Sequence, residues 1–349
     1  MLISHNDVKQ KRRLQFVGGA TYSLSLPKKW VDELQIKTGD NVTIVKNSNK
    51  SLTIFPDVDE KDIISSTIGI ATISQNDSNE SIRRKIIAMY LAGYYTIEIR
   101  AKGFKIQLNH ARIIKDLARL TLIGTEIIES NSESIKLQIL TRLPDLSFDI
   151  ALRRMYLMAS NMHQEAIEAF SNVDKISSES IVNMDDEVDR FGLYMLRNLN
   201  LALKDAKAML EIGLKEPSAC LGYRTVIRSI ERIADHAALI AKRTKFLEPP
   251  INKNLLDEVS KLSKDSLLVF ENSISALSKK DYQLAEKVVT QTEKVVEKEK
   301  ILMDDMKESL KNSTVIKFVL ENIRRTAEYS SDIAEVVIDE NIQSVITEK

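Results

Sequence analysis

The chain is poor in the residues that punctuate turns. Its 349 residues include 10 Gly and 6 Pro, and neither occurs in the 99 positions from 251 to 349. Tight turns depend on these residues, so a compact β domain is excluded there, and regular apolar spacing predicts long helices. Ten of the sixteen lie before residue 145, which is where any sheet belongs. A single cysteine, Cys220, excludes a disulfide framework and any Cys-based zinc site. No run approaches the ~18 apolar residues that would cross a bilayer, and the N-terminal MLISHNDVKQKRRLQF has no apolar signal core. The expectation is a cytoplasmic protein with no integral membrane segment. Net charge is also missing, since 50 Lys and Arg balance 50 Asp and Glu.

That balance hides a division. Residues 1–57 carry nine positive and five negative charges, so they are +4 and the remainder is −4. Lys9, Lys11, Arg12 and Arg13 form a cluster suited to phosphate groups, or else a solvated tail.

Local patterning divides the chain into four parts, 1–57, 58–147, 148–248 and 249–349. In the first, Arg12 to Val17 and Thr21 to Leu26 alternate as strands around Gly18-Gly19. A short helix follows from Pro27, with Trp30, Val31 and Leu34 on one face and Gly39-Asp40 as its stop. Val42 to Val45 and Leu52 to Phe55 then pair as a hairpin across Asn47-Ser48-Asn49-Lys50. So few residues bury too little surface to stand alone, which predicts a core shared with a second copy, a homodimer.

The second part reads β-α-β-α-β-β, a small α+β unit. Its strands are expected at about 63–73, 95–100, 126–128 and 134–140, and its helices at 80–92 and 109–121. Beyond Pro144 the pattern is helical, at about 148–172, 178–214, 218–246, 252–279, 282–311 and 313–345. The central Pro249-Pro250 break makes this three helices plus three, and positions 230–241 align with 323–334 as third helices of two repeated bundles.

On a helix, positions i and i+4 stack, so Asp185 with Asp189 and Glu231 with Asp235 each pair two carboxylates. Facing helices would gather all four into a hard-cation site of oxygen ligands, with His236 a candidate to complete it. The same spacing also suits a solvated helix face with ordinary ion pairs. In the second repeat Arg324 stands where the first acid should be. Glu328 with Asp332 and Glu293 with Glu297 are the nearest equivalents, a weaker set that Arg324 could neutralise. His5, His110 and His163 have no ligand spacing, and Glu-x-x-His, Gly-x-x-x-x-Gly-Lys, Gly-x-Ser-x-Gly and Cys-x-x-Cys are absent. An enzyme is not expected.

Two groups of residues carry a resemblance. Arg12-Arg13-Leu14-Gln15, Gly18-Gly19-Ala20-Thr21-Tyr22-Ser23, Leu26-Pro27-Lys28-Lys29-Trp30 and Gly39-Asp40 are similar to an AbrB/SpoVT DNA-binding domain. Asp185-Asp186-Glu187-Val188-Asp189 and Glu231-Arg232-Ile233-Ala234-Asp235-His236-Ala237, with the degenerate second copy, resemble archaeal PhoU-type phosphate uptake regulators. The resemblance implies an N-terminal swapped-hairpin β domain, a small α+β middle domain and C-terminal all-α tandem three-helix bundles. It implies a dimer that interleaves its strands and presents basic side chains to double-stranded DNA: Arg12 and Arg13 first, then Lys9, Lys11 and Lys28. It implies a divalent or trivalent metal ion, Fe, Zn, Mg or Mn, on Asp185, Asp189, Glu231 and Asp235. The implied function is a DNA-binding regulator of phosphate uptake whose partners include a phosphate transporter or sensor protein. The alternative is an adaptor that dimerises through its N-terminal domain without reading DNA.

Overall fold

A computed structural model of the chain describes residues 9–46, 51–56, 68–141, 147–306 and 312–346. It divides into two units, residues 1–66 and 67–349. The expected turn at 47–50, the expected start of a strand at 63–67, a helix end at 307–311 and His5 lie outside the described residues.

In the first unit, β1 (Gln15–Val17) and β2 (Thr21–Ser23) form an antiparallel hairpin that places Phe16 opposite Tyr22. The turn needs left-handed backbone at Gly18 (φ +65°) and Gly19 (φ +78°), which glycine adopts without a Cβ clash. A short helix, α1 (Lys28–Glu33), is followed by a second hairpin of β3 (Val42–Lys46) and β4 (Leu52–Pro56). Gly39-Asp40 does not stop α1. The helix ends at Leu34, and Gln35 takes a positive φ of 56°. Asp40 instead closes a separate turn by accepting from the Lys37 amide at 2.7 Å. Only Pro27 is buried among the described residues of this unit. Phe16, Tyr22, Ile44 and Leu52 are each at least 60% exposed, and Leu34 is turned to solvent.

In the second unit, β5 (Ile68–Ile73), α2 (Asn79–Leu91), β6 (Thr96–Ala101), α3 (Leu108–Asp116), β7 (Thr125–Ser130) and β8 (Ser134–Ile139) follow the predicted β-α-β-α-β-β order. α3 runs on into a π-helical turn, Leu117–Thr121. The sheet order is β5-β6-β8-β7, with β5 and β6 parallel and the other pairs antiparallel. Ile82, Ile86 and Tyr90 from α2 pack with Ile97, Ile99, Leu137 and Ile114 to form its core.

The rest is helical: α4 (Phe148–Ser171), α5 (Lys175–Ala202), α6 (Ala206–Glu211), α7 (Ala219–Arg243), α8 (Lys253–Lys279), α9 (Tyr282–Asp305) and α10 (Ser313–Asn341). Side-chain caps open most of them. Ser147 accepts from the Ile150 amide, Asp174 from Ile176 and Ser177, Asn252 from Asn254, and Asp281 from Leu284. The expected helix over 178–214 is two helices, because Asp205 leaves helical backbone and caps α6 through the Lys207 amide. α4, α5 and α7 form one three-helix bundle, and α8, α9 and α10 form the other. α7 packs along α10, so the two bundles share one continuous core from Phe148 to Val337. Among the described residues no helix is long and apolar enough to cross a membrane.

Candidate functional site

Burial of Val188 and Gly192 turns one face of α5 toward α7, where Ile230, Ile233 and Ala234 pack inward. On the rim of that contact, the i and i+4 acids of both helices meet. Asp185 feels Asp235 and Asp189, while Glu231 feels both Asp189 and Asp235. Glu231 is buried, Asp185 is half-buried, and Asp189 and Asp235 lie at the more exposed edge of the group. Burial first, and then Asp235 and Asp189, push Asp185 up to about 7, with Lys242 opposing weakly. Burial also pushes Glu231 up to about 7 against the pull of Arg228, which it meets at 2.5 Å. Asp189 is raised by burial and then by Asp235 and Asp186. Oδ1 of Asp185 is enclosed without a hydrogen-bond partner.

This group suits a hard cation in its chemistry. It is an oxygen-only donor set in which the charged forms of Asp185, Asp189 and Glu231 are disfavoured, with one enclosed oxygen unsatisfied, and a positive ion would relieve each of these. The acids are gathered but not closed around a point: among the described residues, no three His, Cys, Asp or Glu side chains are arranged to hold one ion. His236 faces the other way. Its Nδ1 lies 2.6 Å from Asn322 Oδ1 on α10, and its ring is 5.5 Å from that of Tyr329.

Gly192 has no part in the sequence expectation, yet it makes room for this site. A Cβ there would lie 2.0 Å from Oε1 of Glu231. The available signal was a glycine inside a long helix, where it costs about 1 kcal/mol relative to alanine and therefore has a packing reason.

The second bundle differs from its expectation. Glu293 and Glu297 are exposed on the outer side of α9, because Val288, Thr292, Val295 and Glu299 form its inward stripe. Glu328 is held by Arg324 and, at 3.1 Å, by Arg325. Asp332 is raised by burial and then by Glu335, with Arg232 of α7 opposing.

Lys9, Lys11, Arg12 and Arg13 precede β1 and are exposed, as is Lys28 at the start of α1. Arg12 Nη2 donates to Gln10 Oε1 at 2.8 Å, and the basic cluster stands open to solvent.

The PhoU domain model matches residues 152–244 and 259–337, one segment within each bundle. The chain is a PhoU-type protein. Residues 15–62 match the model for the antidote-toxin recognition module MazE, a bacterial antitoxin, so the hairpin unit precedes two PhoU domains. Two curated relatives are named phosphate-specific transport system accessory protein PhoU homologues. The one from Burkholderia is 26% identical over 144 residues, 39% of this chain and 58% of the relative. The one from Deinococcus radiodurans is 26% identical over 137 residues, 39% of this chain and 59% of the relative. The chain therefore aligns with less than two thirds of the length of either. Among solved structures, the phosphate transport system regulatory protein PhoU from Streptococcus pneumoniae is 18% identical with a TM-score of 0.44, covering 58% of this chain and 100% of that one. PhoU from Pseudomonas aeruginosa is 15% identical with a TM-score of 0.42, covering 57% and 96%. The architecture is the expected one: a small β-hairpin region, an α+β region and all-helical PhoU bundles.

Proposed function

We propose that this protein is a cytoplasmic, non-enzymatic regulator of phosphate uptake that dimerises through its hairpin unit, binds double-stranded DNA there, and receives its signal in the PhoU domains. The tandem PhoU match carries the phosphate reading. The uncovered Phe16, Tyr22, Ile44 and Leu52 support a second copy as the missing half of the hairpin core. The exposed Arg12 and Arg13, with Lys9, Lys11 and Lys28, support contact with duplex phosphates, a contact the dimer would double. In the first PhoU domain, Asp185, Asp189, Glu231 and Asp235 would hold a divalent or trivalent cation. A bound ion would neutralise their mutual repulsion and tie α5 to α7. A phosphate transporter or sensor protein is the partner proposed for the bundles.

A second reading has one observation in its favour. Residues 1–57 carry a net charge of only +4, so the hairpin unit would serve as a dimerisation module alone and the protein as an adaptor. Fluorescence anisotropy of promoter duplexes from phosphate-acquisition genes, at low and moderate salt, separates the two. Salt-sensitive binding supports the regulator. A dimer that binds no duplex at low salt supports the adaptor.

A further inference from the structure

The two PhoU domains repeat one arrangement with opposite charge at the equivalent place. Aligning 230–241 with 323–334 sets Glu231 against Arg324 and Asp235 against Glu328, and three residues earlier Arg228 falls against Glu321. The ion pair of Arg228 with Glu231 at 2.5 Å is therefore repeated, with its signs exchanged, by Glu321 and Arg324 at 4.0 Å.

The facing helices extend the correspondence. Glu231 lies against Gly192 of α5, and Arg324 Nε lies 3.5 Å from Glu299 of α9, so Gly192 and Glu299 hold equivalent places. Counting back from each, Val296 stands where Asp189 stands and Thr292 where Asp185 stands. A close contact agrees with this register. Thr292 Oγ1, which donates to the Val288 carbonyl of its own helix at 3.0 Å, also lies 3.2 Å from the carbonyl of Ala327, the counterpart of Ala234 next to Asp235. The second domain thus lacks both α5-type aspartates and has a guanidinium in the middle of what remains. Arg324 reaches Glu299, Glu321 and Glu328, and only 21% of its side chain is exposed.

We infer that Arg324 is the permanent cation of the second PhoU domain, so that the domain takes up no metal ion and the chain's ion capacity lies in the first domain alone. A guanidinium stays protonated throughout the working pH range and makes directional, charge-assisted bonds to carboxylates. A metal ion would have to expel it from a partly enclosed groove while finding Thr292 and Val296 in place of two acids. Chelators, by the same argument, leave this cation where it is. The statement about the first domain rests on the reading proposed above, whereas the statement about Arg324 does not.

The test is titration of chelator-stripped, full-length protein with Mn²⁺, with free ion read by electron paramagnetic resonance. The wild type is compared with Asp185→Asn/Asp235→Asn, Glu299→Gln/Glu328→Gln, Arg324→Gln, Arg324→Lys and Arg324→Gln/Glu299→Gln, and circular dichroism checks the fold of each. Wild-type binding should disappear in Asp185→Asn/Asp235→Asn and persist in Glu299→Gln/Glu328→Gln. Arg324→Gln should add a class of bound Mn²⁺ that vanishes again in Arg324→Gln/Glu299→Gln, whereas Arg324→Lys should add none. A class of Mn²⁺ in the wild type that survives Asp185→Asn/Asp235→Asn and vanishes in Glu299→Gln/Glu328→Gln would overturn the inference, and needs no Arg324 variant to fold. A folded Arg324→Gln that gains nothing overturns it as well. Should the wild type bind no ion, the first-domain reading fails on its own, and the gain in Arg324→Gln still decides the role of Arg324.

Discussion

The guanidinium of Arg197, on the helix that also carries Asp185 and Asp189, donates to the main-chain carbonyl of Tyr90 and lies 4.9 Å from the centre of that residue's ring. It also donates to the carbonyl of Gly93 at 3.3 Å and lies 5.2 Å from the ring of Tyr95. Asn200, farther along α5, and Lys204, just past its end, donate to the carbonyls of Leu91 and Ala92. Four successive carbonyls at the end of α2 and just past it, Tyr90 to Gly93, thus accept from side chains on or just after α5, in the first PhoU domain. This helix end fastens the α+β region to the bundle, beside the packing of α5 on the π-helical turn Leu117–Thr121.

Arg197→Ala should therefore destabilise the second unit by about 2–4 kcal/mol, since it removes two charge-assisted hydrogen bonds and two cation–π interactions, less the desolvation of a buried charge. Arg197→Lys should recover only part of this, since an ammonium lacks the planar fork that spans both carbonyls. Denaturant unfolding measures both. Equal stability of Arg197→Ala and the wild type would show that the capping is not needed.

Gly192→Ala sets two effects against each other. Alanine favours the helix by up to about 1 kcal/mol, but its Cβ would meet Oε1 and Cδ of Glu231 at 2.0 and 2.8 Å. The carboxylate sits at the end of a side chain that can swing out, so the backbone need not move. The expected result is a melting temperature within a few degrees of the wild type together with clearly weaker Mn²⁺ binding. Unchanged binding would place Glu231 outside the ion site.

Much of the architecture was legible in the sequence because helix caps and apolar stripes agree. Ser147, Asn252 and Asp281 stand where the helices start, and the Gly- and Pro-free tract from 251 onward is helical wherever it is described apart from short turns. The break at Asp205 was masked by apolar periodicity that runs on through Met209 and Ile212. The acidic pairs of α5 and α7 were readable from spacing, but spacing does not fix helix phase. On α9 the phase is set by Val288, Thr292 and Val295, which turn Glu299 inward and leave Glu293 and Glu297 outside. Arg197 carried no local signal, since its partners lie more than 100 positions away and only tertiary packing brings them together.

Replacing Arg12 and Arg13 by Ala removes two exposed charges from each chain and four from a dimer. If these side chains meet phosphates, the slope of log affinity against log salt should flatten by about 0.9 for every phosphate no longer neutralised. The fold of the hairpin unit should be untouched, because neither residue is buried. Anisotropy titrations over a range of salt concentrations give the slope directly. An unchanged slope would take both arginines out of the interface while leaving the dimer intact.

His163 supplies the pH dependence of stability. It is fully buried where α4 meets the second PhoU domain, with Nε2 3.0 Å from Ser263 Oγ of α8 and Nδ1 3.2 Å from Thr326 Oγ1 of α10. Burial first, and then the charge of His236 on α7, lower it from 6.5 to about 4. Above pH 6.5 both native and unfolded chains hold it neutral, and it adds no pH dependence. As pH falls from 6.5 toward 4, the unfolded chain binds a proton that the native protein refuses, so stability drops, by about 3 kcal/mol once pH reaches the native value. Below about 4 both states are protonated and the loss levels off. Acids with raised values, Asp185 and Glu231, change stability in the opposite direction over an overlapping range, so the wild-type curve alone cannot isolate the histidine. The comparison is with His163→Gln, which keeps a donor and an acceptor for Ser263 and Thr326 but cannot titrate. Denaturation midpoints measured from pH 7.5 to 4.5 should fall more steeply for the wild type than for His163→Gln. Parallel curves would mean that His163 is protonated as readily in the folded protein as in the unfolded chain.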